Sequence, residues 1–189
     1  MASSRSVWLL AAVLAGCSVG HGDGEVDGVV AIEGCRREGP YQLRPTVFFA
    51  EAAEQVLKIR IQRGSDIEVY SDGIGVLVED AAEVRRGYLG VDIPVGSDDG
   101  DAPHVEVTLF LNESCPAERD KTPVTLSAVS GTIRFTDIYA PKVDKHHVRI
   151  AAELREVRFE DPRVDDRWAV LNGRFDFLYV RGSPAQRFP

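Results

Sequence analysis

Val56-Leu57-Lys58-Ile59-Arg60-Ile61-Gln62 decides the fold class. Leu57, Ile59 and Ile61 fall on one parity and Lys58, Arg60 and Gln62 on the other. A period of two puts successive side chains on opposite faces of an extended chain, one buried and one wet. Elsewhere Val29 to Ile32 and Thr46 to Phe49 are short apolar runs, and Ile67 to Tyr70, Ile74 to Val78, Tyr88 to Ile93 and Val105 to Leu111 read as further strands. Ser71-Asp72-Gly73 reads as a hairpin turn, and Val124 to Leu126 and Thr132 to Phe135 meet across Ser130-Gly131. Ala50 to Glu54 suits a turn or a single helical turn.

Two longer strands close the pattern. His147 to Phe159 keeps Val148, Ile150, Ala152 and Leu154 on one parity, then moves Val157 and Phe159 to the other. One β-bulge near Arg155-Glu156 explains the shift; a short helix over Ala151 to Val157 is the alternative. Ala169, Leu171, Phe175, Phe177 and Tyr179 share the inner face of the last strand. Roughly ten strands, turn residues every 8–12 positions and no long amphipathic helix predict an antiparallel β-sandwich, or a barrel-like form, from 29 to 181. Residues 182–189 are expected as an extended tail, with Phe188 docked, frayed or used by a partner.

The front of the chain has another logic. A short polar start with Arg5 precedes the apolar run Val7 to Leu14. The run is far below the roughly 20 residues of a spanning helix and follows the plan of a secretory signal. It ends in Leu14-Ala15-Gly16-Cys17, which resembles the lipobox of bacterial lipoproteins. The resemblance covers only these first 17 residues. It implies cleavage between Gly16 and Cys17 by signal peptidase II, a signal of residues 1–16, and acyl chains on Cys17. Two or more chains hold a protein stably at a bilayer, where one does so only marginally. Ser18, in place of aspartate, implies outer-membrane sorting in a Gram-negative host. Residues 17–28, rich in glycine and acid, read as a flexible tether.

The chain has 22 basic and 30 acidic residues. Without Arg5 the balance is 21 against 30, net −9. With no basic cluster, nucleic acid and anionic surfaces are poor partners. Three cysteines leave Cys35 and Cys115 once Cys17 is acylated. An exported chain meets an oxidising compartment, which favours a disulfide between them over two buried thiols.

Catalytic motifs are missing from the sequence. It contains neither Gly-x-Ser-x-Gly nor His-Glu-x-x-His. Asp98, Asp99 and Asp101 surround Gly100 and offer oxygen to a cation such as calcium, although the spacing is not that of a calcium loop. His146 and His147 could share a metal only within a loop. The charged stretch Glu160 to Trp168 ends in an aromatic suited to a protein or glycan partner. No cofactor is expected. The reading is a non-catalytic envelope lipoprotein that binds or scaffolds. A carrier of an apolar ligand, or a hydrolase with an unrecognised carboxylate site, are the alternatives.

Overall fold

The computed structural model describes residues 18–64, 71–96, 100, 102–116, 124–144 and 149–179. Period-two alternation builds most of what is seen. The strands are β1 (Ser18–Ala31), β2 (Gly39–Leu43), β3 (Val47–Ala53), β4 (Val56–Gln62), β5 (Asp72–Val78), β6 (Asp92–Pro94), β7 (Val105–Leu111), β8 (Thr125–Asp137), β9 (Arg149–Glu160) and β10 (Trp168–Leu178). One short helix, α1 (Ala81–Gly87), separates β5 from β6. The domain is all-β, and every pairing is antiparallel.

The sheet curls on itself. Its order runs β10-β9-β8-β7-β5-β4-β3-β1, and β10 returns to β1 from His21↔Leu178 to Ala31↔Trp168. Of the two expected forms this is the barrel-like one: among the described residues every strand belongs to one curled, hydrogen-bonded sheet. β2 and β3 lie in succession along one edge of β1, pairing with Val26 to Val30 and with Ser18 to Gly20. β6 and β7 divide the corresponding edge of β8.

Inward-facing residues fill the barrel. Phe48, Phe135, Phe159, Phe175 and Phe177 are buried, with Leu57, Ile59, Ile61, Ile74 and Leu109 among them. Phe177 packs against Phe48 at 5.5 Å and Phe175 at 6.2 Å between ring centroids. Each such ring contributes on the order of 1.5–3 kcal/mol by leaving water.

Residues 17–28 were expected as a tether, but from Ser18 onward they are β1. Their glycines meet the neighbouring strand rather than loosening the backbone. A Cβ on Gly28, at φ +155°, would collide with the Val170 carbonyl oxygen, and one on Gly22 with Phe177. Glycine here allows two backbones to close the barrel wall. The all-β domain therefore begins at Ser18 rather than Val29. Residues 180–189, including Phe188, lie outside the described set, as do 1–17.

Three local readings also change or resolve, and α1 is new. Gly131 (φ +111°) bends one long strand, β8, instead of turning a hairpin; its absent Cβ would sit 2.6 Å from the Val157 Cα. Ala50 belongs to β3, and Glu54 (φ +53°) with Gln55 makes a two-residue turn into β4. The bulge in β9 is present: Leu171↔Val157 is followed by Gly173↔Leu154, so Arg155 and Glu156 oppose Asn172 alone. Asn172 Oδ1 accepts the Glu156 amide at 2.9 Å. α1 starts at Asp80, whose carboxylate accepts the Glu83 amide at 2.9 Å, as an N-cap does.

The exterior is charged. One row crosses five strands with alternating sign: Glu25 opposite Arg174, Glu153, Arg134 and Asp92 in turn. Arg134 grips Asp92 with two bonds of 2.8 and 2.6 Å, and Glu25 accepts from Arg174 at 3.1 Å and Arg44 at 2.8 Å. A bilayer-spanning barrel puts apolar side chains outward; this one puts them inward. Among the described residues no helix is long and apolar enough to cross a membrane.

Candidate functional site

The barrel has two unlike ends. The near end holds the start of β1, the β3–β4 turn, α1 and residues 138–144 after β8. The far end holds the segments after β1 and β7, the start of β5 and the β9–β10 loop. The unusual polar chemistry lies at the far end.

Its centre is Asp72, the first residue of β5, fully buried. The carboxylate accepts the backbone amides of Glu113 at 3.0 Å and Ser114 at 2.9 Å on Oδ1. Oδ2 accepts the Ser114 hydroxyl and, at 3.4 Å, the Tyr41 hydroxyl. Arg63 stands 3.8 Å from Oδ2 and 2.8 Å from Glu113. Burial, and then the Asp72 charge, raise the Tyr41 phenol well above its usual range, so Tyr41 stays a donor. Both carboxylate oxygens are engaged by donors in a site closed to solvent. The arrangement clamps the segment after β7 onto the start of β5.

The cysteines lie beside this clamp. Cys35 and Cys115 are brought to disulfide distance, with Cα atoms 4.1 Å apart. The Arg36 amide donates to the Ser114 carbonyl at 2.6 Å. The segment leaving β1 is thereby fastened to the one leaving β7. Asp72 was read as a turn residue because Ser-Asp-Gly has hairpin composition. Its parity with Ile74, Val76 and Val78 was the available signal that it faces inward.

The β9–β10 loop forms the rim. Asp161, its side chain buried, accepts the Arg163 amide at 2.9 Å and the Arg163 guanidinium at 3.2 Å. Burial pushes the Asp161 carboxyl up, but Arg163 and Arg167 outweigh it and hold it below the usual range. Trp168 opens β10 half-buried, with the Arg158 guanidinium over its ring at 5.3 Å. A shallow depression lined by Arg158, Asp161, Asp165, Arg167 and Trp168 lies there. It can offer an aromatic edge and both signs of charge to a partner, the composition of interface anchors.

Other sequence candidates stand apart. Asp98, Asp99 and Asp101 lie outside the described residues, as do His146, His147, Gly16 and Cys17. His104 is exposed beside Glu106 at 3.2 Å, and His21 is exposed on β1. Among the described residues no group of three or more His, Cys, Asp or Glu side chains could hold a metal ion. No family model, no curated protein and no solved structure matches the chain.

Proposed function

We propose that this chain is a lipid-anchored envelope protein whose barrel binds or scaffolds a partner, without catalysis, at the outer membrane of a bacterium. The observation that carries the reading is the polarity of the barrel wall. A body with aromatic rings inside and ion pairs outside does not enter hydrocarbon through its strands. Attachment to a membrane must then come from outside the barrel, and the lipobox-like Leu14-Ala15-Gly16-Cys17 supplies a means. Asp72, a fully buried carboxylate, is engaged as a clamp, which weakens the hydrolase alternative. The packed, buried rings fill space an apolar cargo would need, which weakens the carrier alternative. The partner, an envelope protein or a glycan, would meet the far-end rim around Trp168.

The test has two parts. Mass spectrometry of the native protein should show a diacylglyceryl-modified, acylated Cys17 at the N-terminus, with globomycin causing the precursor to accumulate. An unmodified first residue would end the lipoprotein reading. A photo-crosslinking residue at Trp168, in living cells, should give one discrete adduct that the same residue at exposed Leu89, between α1 and β6, does not. Equal or absent adducts at both positions would remove the rim from the proposal.

A further inference from the structure

We infer that the barrel stands end-on upon the bilayer, its near end against the phospholipid headgroups and its far end projecting into the envelope space. The inference rests on the lipid reading of Cys17 and goes beyond it. Ser18 is already paired, opposite Ala50 of β3. Cys17 is joined to it by one peptide bond, a Cα step of about 3.8 Å. An acylated Cys17 therefore leaves no slack between the wall of the barrel and the membrane, where a tether of residues 17–28 would have let the domain swivel.

The elements at that end then become the contact surface. They are the β3–β4 turn at Glu54-Gln55, the start of α1 and residues 138–144 after β8. Val143, 54 % exposed, and Leu178, 49 % exposed, belong to this end together with the exposed Lys142. Short apolar side chains beside an amine suit the headgroup–acyl boundary. Glu54 and Asp80 lie there too, so contact is imposed by the short connection rather than by attraction to anionic lipid.

The geometry sets the height of the far end. From Ser18 to Ala31, which pairs with Trp168, β1 rises about 3.3 Å per residue. With the strand tilt of roughly 35–45° usual for barrels, Trp168 stands roughly 30–35 Å above the near end. The Asp72 clamp, the cysteine pair and the rim are all carried away from the bilayer.

The mature chain, without Trp8, has Trp168 as its one tryptophan, which provides the test. The lipidated protein, with Cys17 acylation verified by mass spectrometry, is placed in phosphatidylethanolamine–phosphatidylglycerol vesicles doped with dansyl headgroups. Energy transfer is measured from Trp168, and from a near-end tryptophan in Gln55→Trp carrying Trp168→Phe. The result expected is several-fold greater transfer from position 55. A Gly/Ser linker inserted between Cys17 and Ser18 should erase that contrast. Equal transfer from the two positions in the acylated, linker-free protein would overturn the orientation and leave the lipid reading standing. An unmodified Cys17 would overturn both. Neutron reflectivity of the wild-type protein on a supported bilayer gives an answer without substitutions: a layer of roughly 30–35 Å with no solvent gap beneath supports the inference, and a gap or a thinner layer contradicts it.

Discussion

β1 and β4 are both wall strands of the same barrel, yet their sequences share almost nothing. β4 is Val-Leu-Lys-Ile-Arg-Ile-Gln, with every second side chain apolar and buried. β1 is Ser-Val-Gly-His-Gly-Asp-Gly-Glu-Val-Asp-Gly-Val-Val-Ala, and its inward positions include Gly24, Val26 and Val30. β4 is held by what its side chains bury. β1 is held by what its glycines permit, a close approach to β10, and by the charges on its outer face. Glycine-and-acid composition signals a loose chain only when nothing large waits opposite. Here Phe175, Phe177 and Leu171 on β10 supply the bulk that β1 lacks.

Four substitutions probe this contrast, in order of falling effect. The largest loss is expected from Ile59→Ala in β4, about 2–5 kcal/mol in denaturant unfolding, because a fully enclosed side chain leaves a cavity. A loss below about 1 kcal/mol would mean that β4 is not packed as described.

Next comes Cys35→Ser with Cys115→Ser. The pair spans 80 residues, for which loop closure predicts roughly 4.5 kcal/mol as an upper figure, reduced by any native strain. This change should loosen the far end of β1 while leaving the near end of α1 protected. Unchanged stability, with both thiols alkylated in the untreated protein, would show that the bridge does not form.

Gly28→Ala probes the seam itself. A methyl group there meets the Val170 carbonyl, so a loss of about 1–3 kcal/mol is expected, as for overpacking. In a tether the same change would be neutral or slightly stabilising.

The smallest effect belongs to Glu25→Gln, which removes one member of the alternating outer row. Exposed ion pairs are screened, so its effect should shrink further as salt rises. The same row, together with the separate Arg149–Asp176 pair, sets an acid dependence. Arg174 and Arg44 hold the Glu25 carboxyl below its usual range, Arg134 does so for Asp92, and Arg149 for Asp176. In each case the unfolded chain takes up its proton at higher pH than the folded one. Stability from the row is complete above the ordinary carboxylate range and is lost as pH falls through the lowered folded values. Glu25→Gln should flatten the Glu25 part of that slope.

The legibility of the sequence follows the same divide. β4 and β7 were readable because their apolar parity is uninterrupted, β10 because only Gly173 interrupts its apolar face, and the bulge at Arg155-Glu156 because Val157 and Phe159 change parity. Cys35 and Cys115 were paired by counting. β1 was missed because the evidence for it lies in β10, not in its own residues. Gly131 was taken for a turn because a glycine between two short apolar runs looks the same whether the chain reverses or bends. Asp72 was assigned to a turn by its neighbours' composition, although its parity agreed with the inner face. α1 was too short for helical periodicity to register, seven residues with Ala81 and Val84 buried.

Hydrogen exchange on the β1 amides reports whether β1 closes the barrel wall. Paired to β10 along its length, the stretch from Gly22 to Val30 should exchange slowly, with protection of the same order as Leu57 to Ile61 in β4. Exchange of Gly22 to Gly28 at the rate of an unstructured peptide, while β4 stays protected, would return those residues to a tether. The closed wall and the end-on stance on the membrane would fall with them.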